Sequence, residues 1–158
     1  KSQSRPVGYK AKQKAPPINL RKLNYDNIED YWDKVVTMNE SIILEPRAFY
    51  ILRSKEHIII PPHLAAEMVP YEVKMGEFRV HYAGFFDPGF GSPELNANNT
   101  KAVLEVRSHD VPFIIEDGQT ICRLIYEPMS NIPDKLYGEI KGKNNYQSQG
   151  LKLSKHFV

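Results

Sequence analysis

Apolar and polar positions change rhythm along the chain. Ile28, Trp32, Val35 and Val36 share one face of a 3.6-residue period. Asp26 is placed to cap this run, and Glu29 follows three residues later as in a capping box, so the spacing predicts a short helix. From Ser41 onward the pattern shifts to short apolar or alternating runs bounded by Pro and Gly. Strands are expected over Ile42–Leu44, Phe49–Leu52 and His57–Ile60, with a helical turn over Leu64–Met68. Phe78, Val80 and Tyr82 alternate with Arg79 and His81; Ala102, Leu104 and Val106 alternate with Val103, Glu105 and Arg107. Val111–Ile115 and Gln119–Glu127, joined by a turn at Gly118, complete the set. So many short strands with so little helix predict a mostly β domain, a barrel or a sandwich.

Charge divides the chain unevenly. Lys1, Arg5, Lys10, Lys12, Lys14, Arg21 and Lys22 all precede the first acid, Asp26, and Pro6, Pro16 and Pro17 interrupt the stretch. Residues 1–24 therefore read as a solvated basic arm or linker, and residues 25–158 as the folded domain. The net charge of +2 over 158 residues does not ask for a polyanionic partner. Tyr9 is the one aromatic interleaved with the basic run before residue 25, so nucleic acid is not expected. A single cysteine, Cys122, excludes a disulfide framework and points to a reducing, cytoplasmic setting. No run approaches the ~18 apolar residues of a membrane-spanning helix.

Several common machineries are missing. The chain has no G-x-x-x-x-G-K-[ST], no G-x-G-x-x-G and no G-x-S-x-G, and its five histidines show no ligand spacing. The informative residue is Glu105, set in the aliphatic run Ala102-Val103-Leu104-Glu105-Val106. Placed among those neighbours, its carboxyl would have a raised pKa and suit general acid–base work; on an alternating strand it would instead point to solvent beside Arg107. A second feature is the turn Asp87-Pro88-Gly89-Phe90-Gly91, where glycines allow close approach to the backbone. Asp87 there either accepts from a sugar hydroxyl or caps the turn. The tail from Tyr137 to Val158 is polar and carries Tyr146-Gln147-Ser148-Gln149-Gly150, suited to a phosphate chain or to an ordinary loop.

The order Asp87-Pro88-Gly89, Ala102-Val103-Leu104-Glu105, Gly118-Gln119, Leu124-Ile125-Tyr126-Glu127-Pro128 and Tyr146-Gln147-Ser148-Gln149-Gly150 resembles the dCTP deaminase family of the dUTPase-like superfamily. Gly76 to Gly84 resembles the longer form in which two related domains are fused, with this chain as the C-terminal half. The resemblance implies a distorted jelly-roll β-barrel with one or two short helices, assembled as a homotrimer or as a pseudo-trimer of fused halves. It also implies deamination of dCTP to dUTP, with Glu105 activating a water against carbon 4 of the cytosine and then protonating the departing ammonia. Val103 and Leu104 match positions whose backbone meets the pyrimidine, and Asp87 the aspartate beside the deoxyribose. Tyr137 and Gln149 match residues that hold the triphosphate and its Mg²⁺, with Tyr146 beside them. Zinc-dependent cytidine deaminases use H-x-E and P-C-x-x-C, which Cys122 alone does not supply, so the implied chemistry is zinc-independent.

Three departures bear on activity. Pro70-Tyr71-Glu72-Val73-Lys74 stands where the family has Ser-Ser-x-x-Arg, and Lys74 lacks the planar fork of the arginine it replaces. Asn145 takes the place of a tail lysine, with Lys143 close enough to substitute. The segment Gly91 to Lys101 is longer than the family norm, holds Asn96, Asn98 and Asn99, and is expected as a mobile loop. The alternatives are a dUTP pyrophosphatase-type activity and a non-catalytic structural half of a duplicated deaminase.

Overall fold

A computed structural model describes residues 6–70, 78–81, 84–95, 97–108, 110–139 and 146–158. Among the described residues, ten strands and one α-helical turn run in the order β1 (Gly8–Ala11), α1 (Ile28–Tyr31), β2 (Trp32–Val35), β3 (Ser41–Leu44), β4 (Phe49–His57), β5 (Leu64–Pro70), β6 (Phe78–His81), β7 (Phe85–Phe86), β8 (Lys101–Ser108), β9 (Phe113–Glu116) and β10 (Cys122–Pro128). They form three antiparallel sheets, ordered β2-β1-β4-β8-β6, β10-β5-β7 and β3-β9. The expected mostly β architecture is present.

The inward positions of these strands make one core. Tyr50 and Leu52 of β4, Ala66 and Met68 of β5, Phe86 of β7, and Ala102, Leu104 and Val106 of β8 pack together with Leu44, Ile58, Ile60 and Phe90. Tyr50 is fully enclosed, and its hydroxyl accepts from the Glu45 amide at 2.7 Å, so the one polar atom it carries inward is satisfied.

Four local expectations change. Leu64–Met68 is strand rather than helix, because β5 pairs with β10 from Leu64↔Pro128 to Pro70↔Cys122, and that ladder outweighs the helix preference of Leu-Ala-Ala-Glu-Met. The helix lasts one turn and its cap is Asn27, whose side chain accepts from the Glu29 amide at 3.1 Å. Asp26 is instead buried, receiving the Tyr31 hydroxyl at 3.2 Å, and Trp32–Val35 continues as strand. The stretch from Ile58 to Ile60 is not strand; β4 ends at His57. Finally, Gly8–Ala11 of the basic stretch is not solvated chain but a strand between β2 and β4. Gly8 lies so close to β4 that a Cβ there would stand 2.6 Å from the Ile51 carbonyl oxygen.

Tyr82 of the expected strand, Asn96, His109, Tyr71 to Lys74, and Lys143 to Asn145 fall outside the described residues. The rest of the Gly91–Lys101 segment is anchored: a 3-10 turn spans Pro93–Leu95, and Ser92, Ala97 and Thr100 are buried.

Candidate functional site

The two faces of β8 carry different chemistry. Ala102, Leu104, Val106 and Ser108 are buried, whereas Glu105 and Arg107 are exposed and Lys101 and Val103 half-buried. Across the sheet, Glu105 sits in register between Ile51 of β4 and His81 of β6. The main chain of β8 alternates as well. The Thr100 carbonyl accepts from the Ile58 amide, and the Ala102 amide donates to Ser54 Oγ, both on the β4 side. Leu104, opposite Leu52, spends its main-chain groups on that side too. Val103 therefore turns its N–H and C=O to the opposite edge, between the point where β6 meets Glu105 and the point where the tail meets Lys101.

That tail contact is double. The Lys101 amide donates to the Gln149 carbonyl, and Gln149 Nε2 donates to the Lys101 carbonyl, both at 3.0 Å. Burial pushes the Lys101 ammonium below its usual pKa, with nearby Arg53 acting in the same direction, and its Nζ donates to the Lys55 carbonyl at 2.6 Å. From Lys101 to Glu105 the strand rises about 13 Å, at ~3.3 Å per residue.

The Asp87–Gly91 turn is gripped on two sides. On one, the Gly89 amide donates to the Ile60 carbonyl and the Ile60 amide to the Phe90 carbonyl, at 3.0 and 2.9 Å. Gly91 has φ +73°, and any side chain there would run into the Ile58 carbonyl, so this position requires glycine. On the other side, the Tyr137 amide donates to the Pro88 carbonyl at 2.8 Å, and the Tyr137 ring packs on Phe90 at 5.6 Å. Burial holds the Tyr137 phenol above its usual pKa, and its oxygen accepts from the Tyr146 amide at 3.3 Å. Asp87 stays exposed beside this group.

Gln147, which the sequence reading did not single out, joins the turn to the tail. Its Oε1 accepts from the Gly91 amide at 3.3 Å, its Nε2 donates to the Gly89 carbonyl at 3.1 Å, and its carbonyl accepts from the buried Thr100 hydroxyl at 2.6 Å. Gly138, at φ +107°, leaves the room, since a Cβ there would stand 2.5 Å from Gln147 Nε2. The sequence signal was the coincidence of a Gln in the tail with paired glycines in the turn, which sequence separation conceals.

Beyond Gln149 the tail reaches the sheet's outer surface. Leu153 and Phe157 form a cluster with Tyr31, and Tyr9, Ile28, Trp32 and Ile51 pack against it. Phe157 lies edge-on to Tyr31 at 5.3 Å and to Trp32 at 6.1 Å. The chain end is tied down by the Val158 amide to the Asp26 carbonyl and by the Ile28 amide to the Val158 carbonyl.

Of the expected site residues, Asp87, Tyr137, Tyr146 and Gln149 come together at one end of β8, and Val103 and Glu105 continue along its outer face. Leu104 differs: its side chain is core and its main chain serves β4. Lys74 and Lys143 lie outside the described residues. The expectation of an aliphatic setting for Glu105 is corrected for the single chain, because strand alternation sends Leu104 and Val106 inward and leaves the carboxylate exposed next to Ile51. A cavity of about 560 Å³ lies behind that strand, lined by Leu52, Leu104, Val106, Ile115, Ile121 and Cys122 among others, and Glu105 does not reach it. Burial pushes the Cys122 thiol up, away from thiolate chemistry. Among the described residues no three His, Cys, Asp or Glu side chains converge as a metal cage, and no helix is long and apolar enough to cross a membrane.

A family model described as "2'-deoxycytidine 5'-triphosphate deaminase (DCD), C-terminal domain" matches residues 1–157. The chain belongs to this dCTP deaminase C-terminal domain family. The match takes in the basic stretch along with the barrel. A crystal structure of 2'-deoxycytidine 5'-triphosphate deaminase from Agrobacterium tumefaciens is 45% identical, with a TM-score of 0.72, over 82% of this chain and 39% of that one. The dUTPase-like fold expected from the resemblance is thereby borne out. Proteins named "dCTP deaminase, dUMP-forming" from Methanobrevibacter smithii and Halobacterium salinarum are each 29% identical over 78% of this chain. The chain spans 62% and 61% of their lengths.

Proposed function

We propose that this chain carries the catalytic glutamate of a dCTP deaminase, a hydrolase that replaces the cytosine amino group with oxygen. The observation that supports it most is the run of functional groups along one strand. Gln149 docks at Lys101, Val103 turns its main chain away from β4, and Glu105 stands about 13 Å along the strand from Lys101 on the same face. That span suits an extended nucleoside triphosphate, with its phosphates at the tail and its base at Glu105.

In this reading the Glu105 carboxylate removes a proton from a water as the water oxygen bonds to carbon 4. The tetrahedral adduct collapses as the carbon–nitrogen bond breaks, and Glu105 returns the proton to the leaving ammonia. Asp87 accepts from the deoxyribose hydroxyl. Tyr137, Tyr146 and Gln149, with Lys143 nearby in sequence, take the phosphates, and Lys74 holds the place of the family arginine. The tail offers phenol and amide groups instead of a carboxylate cage, which fits a Mg²⁺ that arrives on the triphosphate and keeps part of its water. The chemistry assigned to Glu105 asks for no zinc.

Exposure of Glu105 in one chain means that the nucleotide and a neighbouring subunit must cover it, so a homotrimer, or a pseudo-trimer of fused halves, is part of the proposal. The assay is ammonia release from dCTP with Mg²⁺ by the complete protein. Glu105→Gln is expected to lower the rate ~10²–10⁴-fold; an unchanged rate overturns the assignment.

A second reading concerns the product. The curated relatives are named dUMP-forming, which favours loss of pyrophosphate together with deamination. Equal yields of ammonia and pyrophosphate from dCTP support that reading, and ammonia without pyrophosphate supports dUTP as product.

A further inference from the structure

We propose that Gln147 is a positioning residue that seats the tail on the Asp87–Gly91 turn before any nucleotide arrives. The inference rests on the deaminase reading above, although the contact itself does not. The amide plane of Gln147 lies between two main-chain groups of the turn that require opposite partners. Gly91 offers an N–H to Oε1, and Gly89 offers a carbonyl to Nε2. Only a neutral group with both an acceptor and a donor at that reach satisfies the two, and Gly138 opposite has no Cβ to obstruct it.

The consequences extend in both chain directions. Tyr146, immediately before Gln147, has its amide held by the Tyr137 hydroxyl, and Gln149, two residues after, is bonded twice to Lys101. Gln147 therefore fixes Asp87, Tyr137, Tyr146 and Gln149 relative to one another as one preformed wall. Its own side chain is spent on the turn and does not meet the nucleotide. Without it, the cost of ordering the tail falls on substrate binding.

Gln147→Glu tests this with nearly the same shape. The carboxylate cannot donate and sets a negative charge against the Gly89 carbonyl; once protonated, it regains one donor and one acceptor. At pH 8 the complete protein carrying Gln147→Glu should show a KM for dCTP about 10- to 100-fold above wild type, with a smaller change in kcat. That is the ratio two net hydrogen bonds carry. Relative to wild type, the defect should shrink as the pH falls to 5. Gln147→Met should show the KM defect with no rescue by acid. Hydrogen exchange without nucleotide reads the contact directly, and the Gly91 amide should exchange at least about 10-fold faster in Gln147→Met. A KM equal to wild type despite faster Gly91 exchange overturns the positioning role. So does unchanged Gly91 exchange. If wild type releases no ammonia, the deaminase reading fails, while the exchange measurement still decides whether Gln147 holds the tail.

Discussion

The core inside the barrel and the small cluster outside it are assembled from different parts of the chain. The inner core draws on β4, β5, β7 and β8, strands paired along most of their length. The outer cluster is made from the chain's extremities: Tyr9 of β1, Tyr31 and Trp32 around α1, and Leu153 and Phe157 of the tail, closed over Ile51. The difference separates stability from function. The inner core decides whether the barrel exists. The outer cluster holds the tail beyond Gln149 against the sheet, over Ile51, whose register partner on β8 is Glu105.

Breaking each cluster in turn should separate the two. Leu104→Ala removes a buried side chain from the centre of the inner core and is expected to cost about 2–5 kcal/mol. Denaturant titration should show a lower midpoint, while the proposed deaminase activity per folded molecule changes little at low denaturant. Phe157→Ala should cost less, about 1–3 kcal/mol, because its neighbours lie at the sheet's outer surface and can partly close the space. Its larger effect should be local: faster proteolysis of the tail and a raised KM for dCTP with the barrel still folded. Loss of global folding in Phe157→Ala together with a normally seated tail would erase the distinction between the two clusters.

How legible each region is in the sequence follows the same division. The alternation Ala102, Leu104, Val106 against Val103, Glu105, Arg107 is strong and local, and the observed burial follows it residue by residue. The direction of Glu105 was contained in that alternation. Gly8–Ala11 gave no such signal, since Tyr-Lys-Ala is short and half polar and becomes strand only because β2 and β4 offer edges on both sides. Leu64–Met68 misleads because its residues favour helix in isolation, and the pairing partner β10 lies about sixty residues on. Asp87, Tyr137 and Gln149 are recognisable as a set only through the resemblance, as no local pattern links them. Gln147 is hidden more deeply, because its partners are main-chain atoms of glycines that carry no side chain to suggest a contact.

The most direct test is a structure of the complete protein carrying Glu105→Gln, with dCTP and Mg²⁺ bound. The cytosine is expected on the outer face of β8, with carbon 4 facing residue 105, the base edge on the Val103 main chain, and the phosphates at Tyr137, Tyr146 and Gln149. A nucleotide lodged in the cavity behind Leu104 and Val106, or a base remote from residue 105, would contradict that placement.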